Sequence, residues 1–202
     1  MAYFIEVIRK EEQITNNWSG GTTTELAIYP KDAEYSKRNF LWRISSARVE
    51  VEESTFTSLP GIWRLIMVLD GRLELQHEGH HNIDLGIFQQ DSFSGDWNTK
   101  AFGRARDFNL MMAESCKGTL EAIGIKEKEE KEVLSKETTE TFYCIKGEIE
   151  IVINEREVIT LYEGDFLIIS MEDHEETMNI RLSNPNEMST QVIRAMVSYE
   201  SN

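Results

Sequence analysis

Residues 71–86, GRLELQHEGHHNIDLG, and residues 147–162, GEIEIVINEREVITLY, are two versions of one sequence pattern. An ungapped alignment with an offset of 76 residues superimposes Gly71 on Gly147. The further matched pairs are Leu73 with Ile149, Glu74 with Glu150, Leu75 with Ile151, Ile83 with Ile159, and Leu85 with Leu161. Each copy contains a glycine, an alternating segment, a polar turn and a second apolar segment. The pattern predicts a duplicated β-hairpin.

Alternating and β-branched segments continue on both sides of the two copies. They predict strands within residues 41–52, 62–78, 81–88, 107–112, 119–125, 141–170, 177–184 and 190–199. Residues 126–137, KEKEEKEVLSKE, have the composition of a solvated linker or a short helix. Many short strands with so little helical pattern predict an all-β protein built as a sandwich or barrel.

Charge and composition argue against several classes of function. The 202 residues include 36 acidic and 21 basic side chains, and the formal net charge is −15. A field of this sign repels nucleic acid and anionic membranes, so we expect neither as a partner. Cys116 and Cys144 lie in apolar-rich segments without a CxxC spacing, which predicts buried free thiols. With neither a signal-peptide pattern nor a long apolar segment, the sequence predicts a cytoplasmic protein.

The second copy of the repeat carries the first family resemblance. FYCIKGEIEI (142–151), followed by LYEGDFLII (161–169), resembles the core of a cupin. Together with the duplication, this resemblance implies a bicupin with two antiparallel jelly-roll barrels. The expected organisation is an N-terminal half over residues 1–123, a charged linker or short helix over 124–137, and a C-terminal half over 138–202.

Cupin enzymes hold a metal with two closely spaced histidines, a glutamate and a later histidine. The segments that lead into the repeat glycines, 57–71 and 133–147, contain no histidine, and only His174 lies near the position of the family's last ligand. We therefore predict neither a metal nor another cofactor. His77, His80 and His81 fall at the tip of the first hairpin, where we interpret them as an exposed polar turn that an adventitious metal could occupy.

A second resemblance covers the first half of the chain. Five motifs occur in a specific order: WSGGTTTEL (18–26), WRISSARV (42–49), FTSLPGIWR (56–64), FSGD (93–96) and DFNLM (107–111). They are similar to the signature of the HutD/Ves family. The resemblance implies a bicupin of poorly defined role that binds a small metabolite or regulates histidine degradation, whose intermediates are N-substituted glutamates.

These motifs also supply a candidate ligand pocket. Arg43, Ser45 and Ala47 share one face of a predicted strand, which would place a guanidinium beside small side chains in the barrel lumen. Arg64 precedes an apolar strand, and arginine suits carboxylate recognition. The predicted ligand-binding residues are Trp18, Thr22, Thr24, Glu25, Arg43, Ser45, Arg64, Phe93, Asp96, Asp107, Asn109 and Met111. Alternation places Thr22 and Thr24 on one face and Glu25 on the other, so all three reach one ligand only if a bulge intervenes.

The sequence leaves more than one function open. No GxSxG, GxGxxG or Walker motif occurs, and Gly20 and Gly21 lack the helix that a phosphate loop requires. The leading hypothesis is a non-enzymatic accessory protein that binds a small anionic metabolite. The alternative is a metal-independent isomerase, lyase or hydrolase with Glu25, Asp96 or Asp107 as general base. A third is a partner-binding role for the acidic surface, and the edge strands of a jelly roll make a homodimer plausible.

Overall fold

We analysed a computed structural model that describes residues 2–171 and 177–199. The chain divides into two compact units, one formed by residues 13–117 and the other by residues 2–12 and 118–199. Strands dominate both units, and the described residues contain no α-helix, only single 3-10 turns at Lys10–Glu12 and Tyr35–Lys37. Among these residues, no helix has the length and apolar character that crossing a membrane would require.

The unit of residues 13–117 contains two antiparallel sheets. Its strands are β2 (Ile14–Trp18), β3 (Gly21–Tyr29), β4 (Trp42–Val49), β5 (Glu53–Thr55), β6 (Ile62–Gly71), β7 (Leu73–His77), β8 (Asn82–Leu85), β9 (Gln90–Ser94), β10 (Thr99–Phe102) and β11 (Ala105–Ala113). One sheet has the order β2-β3-β4-β11-β6-β9 and the other β5-β10-β7-β8. Ile66 and Val68 of the first sheet pack with Leu73 and Leu75 of the second in one buried cluster.

The second unit also contains two antiparallel sheets. Its strands are β1 (Tyr3–Ile8), β12 (Cys116–Ile125), β13 (Glu130–Ser135), β14 (Thr139–Lys146), β15 (Glu148–Ile153), β16 (Glu157–Tyr162), β17 (Phe166–Met171), β18 (Met178–Ser183) and β19 (Thr190–Tyr199). The sheet orders are β1-β17-β14-β19-β12 and β13-β18-β15-β16. An apolar cluster that includes Phe142, Ile151, Ile169 and Ile180 fills the space between them.

The structure differs from the expected domain organisation at two places. β1 pairs with β17 along its whole length, so the N-terminal residues belong to the C-terminal sheets. Residues 130–135 form β13, paired with β18, where the sequence suggested a linker or short helix. Both differences arise from pairings between segments far apart in the chain, which local charge and periodicity do not encode.

The repeat predicted from the sequence corresponds to matching hairpins in the two units. Leu73 pairs with Leu85 across β7 and β8, and Ile149 pairs with Leu161 across β15 and β16, which are the positions matched by the 76-residue offset. Gly71 and Gly147 have φ angles of 80° and 82°. Both glycines therefore occupy the left-handed region that side chains disfavour, and this explains their place in the repeat.

Gly71→Ala tests this role. A Cβ atom at Gly71 would lie 2.4 Å from the Arg104 carbonyl oxygen. Gly79 is a matched control, because its φ is 76° and nothing lies within 4 Å of the added atom. Left-handed backbone costs about 1–2 kcal/mol for a residue with a side chain. In urea unfolding we expect Gly79→Ala to lower the free energy of unfolding by about that amount. Gly71→Ala should lower it clearly more. Equal losses would contradict a steric role for Gly71.

Candidate functional site

A cavity of about 330 Å³ opens in the unit of residues 13–117. Three neighbouring strands contribute to its lining, β4 and β11 through every second residue and β6 through Arg64. On β4 and β11, Arg43 lies opposite Met111, Ser45 opposite Asn109, and Ala47 opposite Asp107. On β6, Arg64 lies opposite Met111 from the other side. The alternation that predicted one polar face on β4 is therefore continued on β11, and the next strand, β6, adds Arg64.

Arg43 is held by partners within the protein. Its Nε donates to Glu25 Oε2 at 2.7 Å, and its Nη1 donates to Ser45 Oγ at 3.1 Å. The guanidinium carbon also lies 4.4 Å from the centre of the Tyr35 ring. Glu25 thus neutralises Arg43, and Tyr35 covers one face of its guanidinium. Arg43 contributes to the cavity wall with most of its charge already compensated.

Arg64 is in a different situation. It is 6% exposed, and its Nε has no hydrogen-bond partner among the described residues. Its guanidinium carbon lies 4.5 Å from the Phe56 ring centre and 5.4 Å from that of Phe93. It forms no salt bridge within the part of the chain that the structure describes. Burial lowers the Arg64 pKa to about 10, so the side chain remains a cation at neutral pH.

Asp107 and Asn109 present acceptor atoms to the same cavity. Asp107 Oδ1 and Asn109 Oδ1 are buried, and neither has a hydrogen-bond partner among residues 2–171 and 177–199. Burial raises the Asp107 pKa to about 7, although Arg64 and a hydrogen bond from the Ala47 backbone both lower it. The site therefore combines a buried cation, a neutral acceptor and a carboxyl group that titrates near neutrality.

The structure brings together most of the predicted site residues. Seven of them line the cavity: Trp18, Arg43, Ser45, Arg64, Asp107, Asn109 and Met111. Glu25 supports Arg43 from behind, and Phe93 lies beside Arg64. Whether any of these residues binds a ligand stays a prediction.

Three predicted residues lie elsewhere. Thr23 lines the cavity opposite Ala47, so Thr22 and Thr24 project from the other face of β3. Thr24 instead hydrogen-bonds Thr15, with the hydroxyl oxygens 2.8 Å apart. Asp96 is exposed in the turn after β9, where its N–H donates to Ser94 Oγ. Strand alternation places Thr22 and Thr24 on the opposite face from Glu25, as predicted, but these two threonines face away from the cavity and not into it.

The predicted ligand-binding residues did not include Tyr35 or Phe56, which also line the cavity. Phe56 belongs to the FTSLPGIWR motif and contacts Arg64, so the motif itself contained the signal. Tyr35 lies in a 3-10 turn between β3 and β4, and nothing in the local sequence indicates that it reaches Arg43.

The interpretation of the three histidines as an exposed turn is wrong for His77. This side chain is buried, with Nδ1 2.8 Å from Thr99 Oγ1 and Nε2 2.9 Å from Asp91 Oδ2. His80 stacks on Trp97 at a ring distance of 3.7 Å. The burial arises because Phe93 and Trp97 pack against the hairpin end, and burial lowers the His77 pKa. His174 lies outside the described residues.

The comparisons with known proteins decide the family. The HutD family model matches residues 10–189. The chain belongs to the HutD family. This membership agrees with the five ordered motifs, which fall on β2 through β4, β6, β9 and β11. No curated protein matches the sequence at a significant level.

Solved structures show the same fold. A conserved protein of unknown function, PA5104 of Pseudomonas aeruginosa PAO1, is 23% identical with a TM-score of 0.85, over 96% of this chain and 99% of the other. HutD of Pseudomonas fluorescens SBW25 is 22% identical with a TM-score of 0.76, over 98% and 100%. An oxalate decarboxylase of Bacillus subtilis is 7% identical with a TM-score of 0.71, over 97% and 78%. At these identities the likeness establishes the fold alone, and this chain is an all-β bicupin.

Proposed function

We propose that this protein binds a small carboxylate-bearing metabolite in the cavity of residues 13–117 and serves as an accessory or regulatory protein in the cytoplasm. One observation carries the proposal: Arg64 is a buried cation in an open cavity, and its Nε lacks a partner among the described residues. An unsatisfied buried polar group costs about 1–3 kcal/mol. A ligand carboxylate would supply the missing acceptors and recover that free energy.

The other polar atoms of the cavity narrow the class of ligand. Asn109 Oδ1 and Asp107 Oδ1 are acceptors without partners among residues 2–171 and 177–199, so the ligand should carry a donor near its carboxylate. An N-substituted glutamate such as formylglutamate offers a carboxylate for Arg64 and an amide N–H for one of these oxygens. A cavity of about 330 Å³ suits a molecule of this size. Membership in the HutD family makes histidine utilisation the pathway to test first.

A thermal-shift panel tests the proposal. Formylglutamate, formiminoglutamate, urocanate, glutamate and acetate would be added at millimolar concentrations, and the bisamide of formylglutamate, which lacks free carboxylates, is the matched control. We expect at least one carboxylate to raise the melting temperature, and to raise it further as its concentration increases, because a ligand of the folded state stabilises it. The bisamide should give no shift. A panel without any shift, or an equal shift from the bisamide, would contradict the proposal.

Asp107 favours a second candidate function. A buried carboxyl with a pKa of about 7, facing a cavity that also contains Arg64, has the properties of a general base. Of the three predicted bases, Glu25 is engaged with Arg43 and Asp96 is exposed, which leaves Asp107. The protein would then be a metal-independent enzyme acting on a small organic acid. Turnover of a bound carboxylate that disappears in Asp107→Asn while binding persists would establish this function.

A further inference from the structure

A second cluster of functional groups lies at the far end of the β7–β8 hairpin. His77 ends β7, His81 precedes β8, and Asp91 lies on the edge strand β9. His77 Nε2 is 2.9 Å and His81 Nε2 is 3.1 Å from Asp91 Oδ2. None of the three lines the Arg64 cavity. Two imidazole nitrogens thus converge on one carboxylate at a place that the proposed function does not use.

The distances fit a metal centre. With bonds of 2.0–2.1 Å to zinc, neighbouring ligand atoms lie about 2.9–3.4 Å apart in octahedral or tetrahedral geometry. One ligand atom from each of the three residues falls within 4.8 Å of the others. Asp91 holds this arrangement with a side chain that is 9% exposed, whereas His81 is 41% exposed and open to solvent. The site would therefore form with little rearrangement and remain reachable.

The surroundings of His77 orient its metal-binding nitrogen. The Thr99 hydroxyl lies 3.4 Å from the Trp97 carbonyl oxygen and 2.8 Å from His77 Nδ1. When that hydroxyl donates to the carbonyl, Nδ1 carries the ring proton and donates to Thr99. In this tautomer Nε2 is free to bind a cation, which takes the place of the Nε2 proton that otherwise donates to Asp91 Oδ2. Metal-bound histidines use this kind of partner on the opposite nitrogen.

We propose that His77, His81 and Asp91 bind a divalent first-row transition-metal ion. Imidazole with a single carboxylate favours zinc, cobalt, nickel or copper over calcium and magnesium, which prefer all-oxygen sites. An adjoining cavity of about 590 Å³, lined by His77, His81 and Asn82 among others, leaves room for water or another ligand on the ion. The ion would join the β7–β8 hairpin to β9. This location follows the repeat glycine, whereas the two closely spaced histidines expected of a cupin would precede it.

Cobalt titration of the tag-free full-length protein tests the proposal. We expect one equivalent of Co²⁺ to produce visible d–d absorption bands that Zn²⁺ displaces. His81→Ala and Asp91→Asn should abolish the bands, and Thr99→Val should weaken affinity about 10- to 100-fold, the usual effect of removing a supporting hydrogen bond. His80→Ala is the matched control. It should leave the titration unchanged, because His80 stacks on Trp97.

The variants separate loss of the site from loss of the fold. His77 is buried, so His77→Ala could disturb the fold. His81→Ala is used instead, because the His81 side chain is largely exposed. Each variant should melt as cooperatively as the wild type before titration. Absence of Co²⁺ bands at millimolar metal in the wild type would overturn the proposal. Bands of unchanged strength in both His81→Ala and Asp91→Asn would overturn it as well. Carboxylate binding at Arg64 is measured in a separate experiment, and its result does not affect either of these outcomes.

Discussion

Arg64→Met is expected to abolish carboxylate binding and, at the same time, to stabilise the folded protein. Removing one partner of a buried charge pair costs about 2–5 kcal/mol, so affinity should fall by about 30-fold or more. Stability should rise because Arg64 is a buried cation whose Nε lacks a partner within the described residues. Methionine has similar length and packs well against Phe56 and Phe93. The gain is limited by the lost contact of the cation with these rings.

Calorimetric binding and urea unfolding at pH 6 measure the two effects. At this pH Asp107, with a pKa of about 7, is mostly protonated, so removing Arg64 does not leave a buried charge. Arg43→Met is the matched control. It breaks the ion pair with Glu25 and should reduce stability, with a smaller loss of affinity than Arg64→Met. Unchanged affinity in Arg64→Met, or a greater loss of affinity in Arg43→Met, would show that Arg64 is not the arginine that recognises the ligand.

The sequence predicted the fold well because the fold depends on a local, repeated pattern. Alternation defined the hairpins β7–β8 and β15–β16, and the match of Leu73–Leu85 with Ile149–Leu161 is confirmed as two equivalent cross-strand pairs. The all-β class and the bicupin architecture follow from this repetition. β1 and β13 escaped prediction because their partners, β17 and β18, lie far away in the chain.

The candidate site was predictable where the period of a strand sets the direction of a side chain. Arg43, Ser45 and Ala47 face the cavity as alternation requires, and the motifs added Asp107, Asn109 and Arg64. Alternation gives relative faces but not which face is inside, and this is why Thr22 and Thr24 were assigned to the cavity in place of Thr23.

The His77 cluster was missed for a related reason. The sequence predicts that the end of a hairpin is exposed, yet His77 is buried by aromatic residues from a different segment. Phe93 belongs to β9 and Trp97 to the turn that follows it. The sequence shows three histidines within five residues. It does not indicate that Asp91, from the edge strand of the other sheet, contacts them. Packing between sheets, rather than residue type, creates this group.

Asp107→Asn is expected to stabilise the protein increasingly as pH rises. The folded-state pKa of Asp107 is about 7, against 3.8 for the free side chain. The folded state therefore holds a proton that the unfolded state has released, and stability falls as pH rises through this window. The advantage of the asparagine variant should grow by about 1.4 kcal/mol per pH unit between about pH 4 and 7 and then level off near 4 kcal/mol. Urea unfolding at pH 5.5, 7 and 8.5 measures it.

The protonation of Asp107 should also control the affinity of the cavity for its ligand. Protonated Asp107 leaves the positive charge of Arg64 uncompensated, so affinity for a carboxylate should increase as pH falls through about 7, with up to a tenfold change per unit. Asparagine retains an acceptor for the Ala47 N–H and removes the titrating group, so its affinity should be high and nearly independent of pH from 5.5 to 8.5. The opposite charges of Glu25 and Arg43 compensate one another, which leaves Asp107 as the source of this dependence. A wild-type affinity that does not change across this range would show that Asp107 does not change its protonation state between pH 5.5 and 8.5.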